Sequence, residues 1–311
     1  MTISECVRLL REQDDFLIVT HVRPDGDTLC SAAALCSGLR RAGKNAFILD
    51  NPEITETYAD LVAPFITNCR HEGQFLVSVD LATESLFPRG FSDAVDLCID
   101  HHGSNSGYAK HSLVEPQMAA CAEIIMRVIE QLCGKLTLEE AELLYIGLAT
   151  DCGCFCFGNT VEQTFLDAAH LVSYGVKNGS LNKRFFRSFS RSRLALEGMI
   201  YTGLRSYLDG KINVAVITRD MMLQAGAREE DCDDLASLAG KVRGNVVSIT
   251  VRELEGGRSK ASVRSNRSVN SSEICARLGG GGHFMAAGCT ADMGPFELAD
   301  KLLEYALEIL S

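Results

Sequence analysis

The sequence predicts an α/β protein in which an N-terminal domain, built on a doubly wound and mainly parallel sheet, faces a smaller C-terminal α/β domain across a cleft. Three observations predict it. Short apolar runs alternate with amphipathic stretches through the first half, the pattern of a parallel sheet covered on both faces. The 311 residues exceed a usual single domain of ~100–200. Near residues 177–209 the alternation gives way to a basic, aromatic segment, which marks a boundary. The expected division is residues 1–190, a helical linker at 191–209, and a second domain at 210–311.

Taken in order, residues 16–21 read as a buried strand, and 29–39 place Leu29, Ala32, Ala33, Cys36 and Leu39 at helical spacing. Strands are expected at 47–50, 75–80 and 94–100, and helices at 119–133 and 138–149. Thr137 and Glu140 open the second of these helices as a capping box. Lys183, Arg184, Arg187, Arg191 and Arg193, interleaved with Phe185, Phe186 and Phe189, either line a cleft or pack their aromatics inward. The second domain starts with a strand at 212–217 and continues with an acidic helical segment at 228–239. Strands at 245–252 and 260–265 follow, joined by the turn at 255–258, and a helix at 296–310 closes the chain.

With 46% hydrophobic and 23% charged residues, 27 Gly and 6 Pro, the composition is that of a folded protein and excludes collagen-like or low-complexity classes. The net charge of −11 is unevenly placed: 15 basic and 25 acidic residues lie within the first 190, and 15 and 16 after them. That balance argues against coating long nucleic acid with the whole surface and leaves room for a local basic patch, such as Arg258, Lys260, Arg264 and Arg267. Thirteen cysteines are an odd number at irregular spacing, and the charged start carries no signal-type apolar core. A cytoplasmic protein with reduced thiols is expected. No run approaches the ~18–20 apolar residues of a membrane span.

Three predicted strands end in acid-bearing motifs, and in open α/β sheets ligands sit beyond the carboxyl ends of strands. His21, Asp25 and Asp27 offer one imidazole and two carboxylates from a single turn, a donor set suited to manganese or magnesium. The alternative is that Asp25 and Asp27 cap the following helix. Asp80 ends a very apolar strand, where an unpaired carboxylate is costly. The next strand ends in Asp100, His101 and His102; one imidazole can ligate while its neighbour faces what the metal holds, and Asp100 can fix a ring's tautomer. Asp151 ends an apolar helix. The six candidate ligands His21, Asp25, Asp27, Asp80, His101 and Asp151 suffice for two divalent ions if one carboxylate bridges, and such a pair serves phosphate-ester hydrolysis. In the second domain Gly279, Gly280, Gly281 and Gly282 precede His283, so backbone N–H groups can approach an anion closely; Arg264, followed by Ser265, adds a guanidinium. Cys152, Cys154 and Cys156 alternate faces without a second cysteine cluster and read as free thiols rather than a zinc or iron–sulfur site.

The ordered set of His21, Pro24, Asp25, Asp27, Asp80, Asp100, His101, His102, Thr150 and Asp151 resembles the four motifs of the DHH phosphoesterase family. Arg264, Ser265 and the glycines ending at His283 resemble its DHH-associated C-terminal nucleic-acid-binding domain. The resemblance covers essentially the whole chain. It implies two manganese ions, with magnesium or cobalt as alternatives: His21 and Asp25 on one, Asp27, His101 and Asp151 on the other, and Asp80 between them. It further implies that His102 faces the phosphate and that Arg264, His283 and the glycines hold the nucleotide's terminal phosphate. The expected substrates are short oligoribonucleotides, linear dinucleotides and 3′-phosphoadenosine 5′-phosphate. A cyclic-dinucleotide phosphodiesterase, an inorganic pyrophosphatase or polyphosphatase, and a silent nucleotide sensor are the alternatives, and a homodimer through the first domain is implied by resemblance alone. Cys30, Cys152 and Cys156 depart from the family pattern, where Gly, Thr and Arg are common, and put substrate preference in doubt.

Overall fold

The computed structural model describes residues 1–232, 235–266 and 268–310. The chain divides into two compact units, Met1–Ser188 and Phe189–Ser311. The first runs α1 (Ile3–Glu12), β1 (Phe16–Val19), α2 (Gly26–Arg41), β2 (Ala46–Leu49), α3 (Glu56–Val62), β3 (Ile66–Thr67), β4 (Phe75–Val79), β5 (Leu97–Asp100) and β6 (His111–Val114). The helices α4 (Cys121–Cys133), α5 (Leu138–Asp151), α6 (Glu162–Ser173) and α7 (Asn178–Phe186) complete it. All pairings in its six-stranded sheet are parallel, in the order β3-β2-β1-β4-β5-β6.

That order reverses between β1 and β4, which places a crevice at their carboxyl ends. Both central strands are apolar because both faces are covered. On one face Phe16, Ile18, Val77, Val79, Leu97 and Ile99 meet the helices. On the other, Leu17, Val19 and Leu76 are covered by the returning chain through Phe87, Phe91, Val95 and Tyr108, whose rings meet edge to face at 5.0 and 5.3 Å. The 183–189 aromatics separate: Phe185 and Phe186 pack toward the first core, Phe185 stacking on Tyr58 at 5.6 Å, whereas Phe189 is exposed.

The second unit contains α8 (Arg191–Thr202), β7 (Arg205–Tyr207), β8 (Ile212–Ile217), α9 (Arg219–Ala225), β9 (Val247–Glu253), β10 (Ser259–Ser265), α10 (Ser271–Ala276), β11 (Gly281–His283), β12 (Ala286–Ala291) and α11 (Pro295–Leu310). Its sheet, β11-β12-β10-β9-β8-β7, is antiparallel except for β8 beside β9. Alternate residues Val247, Ile249, Val251, Ala261, Val263, Ala287 and Cys289 face the core beneath α10 and α11. Two expectations change. The segment 191–209 is no linker: Leu196 and Ile200 of α8 pack on Ala215 and Ile217, and β7 is an edge strand of this sheet. Of the acidic stretch near 228–239, residues 233 and 234 lie outside the described residues; Glu229–Cys232 and Leu235–Lys241 are short 3₁₀ turns, the latter burying Leu235 and Leu238.

Candidate active site

The six candidate ligands of the first unit come together at the carboxyl ends of β1, β4 and β5. Three groups of potential ligand atoms each lie within 4.8 Å: His21, Asp25 and Asp80; Asp27, His101 and Asp151; and Asp80, His101 and His102. Asp80 belongs to the first and third groups. His21 Nε2 is 3.8 Å from Asp25 Oδ1 and 4.0 Å from Asp80 Oδ2; His101 Nε2 is 3.4 Å from Asp80 Oδ1 and 3.7 Å from Asp151 Oδ2. Asp25 caps α2 through Asp27 N and Thr28 N, each at 3.1 Å, and the same carboxylate faces His21.

Local bonds orient the rings. His21 Nδ1 lies 2.8 Å from Val22 O and His101 Nδ1 lies 3.2 Å from Met118 O, so a proton on each Nδ1 leaves Nε2 with its lone pair toward the carboxylates. His102 differs. Its Nδ1 donates to Asp100 Oδ1 at 2.7 Å, so that nitrogen is committed although it lies 3.6 Å from Asp80, and Nε2 is the atom left for chemistry. Asp100, fully buried, also accepts from His101 N, His102 N and Asn105 Nδ2.

The electrostatics favour cations. Burial, then Asp27 and Asp25, push the Asp80 carboxyl well above its ordinary range; burial and Asp27 raise Asp151 to about 7. Burial also raises Asp27, despite bonds from Ser31 Oγ, Cys121 N and Ala122 N at 2.9, 2.6 and 3.0 Å. Asp80 Oδ1 and His101 Nε2 are buried without a hydrogen-bond partner. Oxygen-rich donors, two freed imidazole nitrogens and orphaned buried atoms together fit one or two hard divalent ions.

Close helix packing assembles the cluster, and spacing alone did not reveal it. A Cβ on Gly147 of α5 would lie 2.9 Å from Asp27 Oδ1, and one on Gly26 would lie 2.5 Å from Thr150 Oγ1, so α2 and α5 approach only with glycine there. Thr28 Oγ1 ties the start of α2 to Val79 O at 2.8 Å. Asn105 and Asn159 carry no motif signal.

In the second unit the predicted residues share one sheet face. Arg264 on β10 and His283 on β11 both pair with Ala286 on β12, and the next row is Ser262, Gly288 and Gly281. Directly paired residues share a face. Arg264 and His283, both exposed, therefore flank a floor of small residues. No carboxylate among the described residues pairs with Arg264, whose Nη1 reaches only Val263 O and Ala287 O at 3.2 and 3.5 Å. The expected glycine loop is, over its last three residues, the edge strand β11. Gly282 has φ +148°, and a Cβ there would lie 2.6 Å from Ala286 O; one on Gly280 would lie 2.3 Å from Gly288 O. Ser265 is not a free hydroxyl: Oγ donates to Val269 O at 2.6 Å and accepts from Ser271 Oγ at 2.8 Å, which ties the start of α10 to the end of β10. Arg267 lies outside the described residues.

The DHH family's N-terminal domain matches residues 15–148, and the DHHA1 domain matches residues 209–311. The chain belongs to the DHH family. It is 36% identical over 303 residues to the bifunctional oligoribonuclease and PAP phosphatase NrnA of Thermus thermophilus, covering 94% of this chain and 90% of that protein. The Bacillus subtilis protein of the same name is 26% identical over 307 residues, with 96% of each covered. An exopolyphosphatase-related protein from Bacteroides fragilis shares the fold at a TM-score of 0.87 and 21% identity, covering 98% of this chain and 95% of that one. Against the DHH pattern, Cys30 and Cys152 are buried, and Cys156 is exposed at the end of a turn in which Gly153, Cys154 and Phe155 all have positive φ. No disulfide is formed among the described residues, and no cysteine there joins a potential metal cluster. No helix among those residues is long and apolar enough to cross a membrane.

Proposed function

We propose that this DHH protein is a two-metal phosphoesterase that hydrolyses short oligoribonucleotides or linear dinucleotides to mononucleotides and also takes the 3′-phosphate from 3′-phosphoadenosine 5′-phosphate. The observation that carries the reading is the pair of ligand groups, His21–Asp25–Asp80 and Asp27–His101–Asp151, with Asp80 Oδ1 also 3.4 Å from His101. Two manganese ions would supply Lewis acidity and a water activated for in-line attack. His21 and Asp25 would hold one, Asp27, His101 and Asp151 the other, and Asp80 both.

The chain's own residues do the rest. Its hydrogen bond to Asp100 raises the His102 imidazole from its ordinary value, with burial opposing, which favours a proton on the ring. Its Nε2 is suited to pass that proton to the departing oxygen while Asp100 holds the ring. Arg264 and His283 grip a phosphate, and the floor of Ser262, Gly288, Gly281 and Ala286 lets a nucleotide lie close to the backbone. A small substrate suits a chain of net charge −11, since it needs only this local grip. The names of the Thermus and Bacillus relatives support the same substrates.

The test is a substrate panel with Mn²⁺: a 5′-labelled RNA dinucleotide, longer RNA, 3′-phosphoadenosine 5′-phosphate, a cyclic dinucleotide and pyrophosphate. Mononucleotide release from the dinucleotide is expected to dominate. Turnover of pyrophosphate alone, or of nothing, would replace this reading.

A further inference from the structure

Glu123 on α4 lies outside the candidate ligand set yet is joined to it by one turn of backbone. Its side chain is 2% exposed. Ala120, the N-cap of α4, offers no side-chain cap; Glu123 reaches back instead, Oε2 accepting from Ala119 N at 2.6 Å. Oε1 is buried and has no hydrogen-bond donor, and its side-chain neighbour is the Asp167 carboxyl on α6, an acceptor that only a protonated Glu123 can bond. Asp167 in turn accepts from Arg127 Nη2 at 2.7 Å and Gln163 Nε2 at 2.9 Å. Two buried carboxyls beside one guanidinium balance only when one of them carries a proton. Burial, followed by Asp167, raises Glu123 to about 7.

The turn at 118–122 touches three candidate ligands. Met118 O faces His101 Nδ1 at 3.2 Å. Ala119 O accepts from Asn159 Nδ2 at 3.0 Å, and the same amide reaches Asp151 Oδ2 at 3.4 Å. Cys121 N and Ala122 N donate to Asp27. Among the described residues the charged groups that face Glu123 are Asp167 on α6 and Arg127 on α4; the next pair along these helices, His170 and Glu130, satisfies itself at 2.6 Å.

We propose that Glu123 is a positioning residue: as a neutral acid bridging Asp167 to the Ala119 amide it locks the 118–122 turn, and so the orientation of Asp27, His101 and Asp151, and loss of its proton loosens that turn. The functional consequence rests on the metal-centre reading above; the lock itself does not.

The test uses the full chain. Glu123→Gln keeps both contacts, its carbonyl accepting from Ala119 N and its amide donating to Asp167, and it cannot ionise. Hydrogen–deuterium exchange of the 118–122 amides is followed in chelator, corrected for intrinsic rate, from about pH 6 to about pH 9. Wild-type protection is expected to fall roughly 10–100-fold across that window, as two pH units above a single titration allow. Glu123→Gln is expected to show only the shallower fall that Asp27, Asp80 and Asp151 contribute, and Glu123→Ala to be poorly protected throughout. Asp167→Asn is a second probe: it removes the carboxylate that keeps the proton on Glu123, leaves Glu123 ionised against Arg127, and should also give the shallower profile. Parallel Mn²⁺ titrations and kcat/KM profiles should lose the same alkaline component in Glu123→Gln. Identical pH dependence in wild type and Glu123→Gln, or full protection in Glu123→Ala, would overturn the proposal. A lock seen by exchange in a protein that binds no Mn²⁺ would uphold it while removing the metal-centre reading.

Discussion

Asp80→Asn should move stability in opposite directions with and without divalent cation. Asp80 is 4% exposed, one of its oxygens has no partner, and its carboxyl is pushed up by burial and by Asp27 and Asp25. Without cations a neutral amide of the same shape relieves that conflict. Asn also tolerates the φ of 57° at this position, where Ala would be strained, so the substitution isolates charge from backbone. Relieving one uncompensated buried polar group is worth about 1–3 kcal/mol. For a unit of this size each kcal/mol shifts Tm by roughly 2–4 °C, so the variant in chelator should melt roughly 2–12 °C above wild type. With Mn²⁺ at about 100 times its Kd, wild type gains about 2.7 kcal/mol, and the order of melting should reverse because an amide is a poor bridging ligand. Dinucleotide turnover should fall by about 10³. The assay is a pair of melts, in chelator and in MnCl2, beside a turnover measurement. A variant that melts below wild type in chelator would make Asp80 a structural anchor. An unchanged Mn²⁺-induced rise would remove it from the ligand set.

Three further outcomes follow from the same geometry. In chelator, Asp27, Asp80, Asp151 and Glu123 have folded pKa values above their unfolded ones, as do His21 and His102; each contributes stability that is complete below its unfolded value and lost as pH rises through its folded value. Asp25 and Asp100 are lowered, against burial, by the His21 and His102 contacts, and their contribution is constant above about pH 4. Urea unfolding should therefore show the metal-free protein more stable near about pH 5.5 than near about pH 8, and a rise with pH would contradict the assigned shifts. His102→Gln should cut kcat by about 10²–10⁴ while Mn²⁺ binding followed by paramagnetic resonance is retained. Parallel loss of Mn²⁺ would make His102 a ligand instead. Arg264→Ala should raise KM for the dinucleotide, with kcat/KM down about 10–100-fold and partial recovery in Arg264→Lys; unchanged kinetics would place the phosphate elsewhere.

Much of the site was legible because its acids interrupt apolar runs. Asp80 and Asp100 stand out at the ends of strands whose other residues are nearly all buried. What stayed hidden acts through backbone or contact. The donors to Asp27 are the amides of Cys121 and Ala122, and a backbone N–H leaves no mark in the sequence. Glu123 looked like any acid in a helical first turn, since only the fold brings Asp167 beside it. The 191–209 segment read as a connector because helical spacing does not say what covers Leu196 and Ile200; Ala215 and Ile217 do. The glycines before His283 read as a loop because glycine is poor in strands. Beside β12 the chain comes so near Gly288 O and Ala286 O that Gly280 and Gly282 leave no room for a Cβ.

The placement of helix ends explains how so much carboxylate is tolerated. Asp25 and Asp27 sit at the N-terminus of α2, and Asp27 also accepts from the first amides of α4, so two positive helix ends bear on their charge. Asp151 is the last residue of α5, where the helix presents carbonyls and the negative end of its dipole. Its rise to about 7 begins with burial and is reinforced by Asp27. The centre is therefore asymmetric. Asp25 and Asp27 are supported by backbone amides whatever binds between the groups. Asp80 and Asp151 have no such support: Oδ1 of Asp80 has no hydrogen-bond partner, and among the described residues Asp151 meets Asn159 Nδ2 at 3.4 Å and His101 Nε2 at 3.7 Å, not a backbone amide. Cation binding should thus be coupled to proton release chiefly from Asp80 and Asp151. Calorimetry in buffers of different ionisation enthalpy should show that release growing as pH falls from about 8 to about 6, the sign expected when groups held above the usual carboxylate range must ionise to ligate.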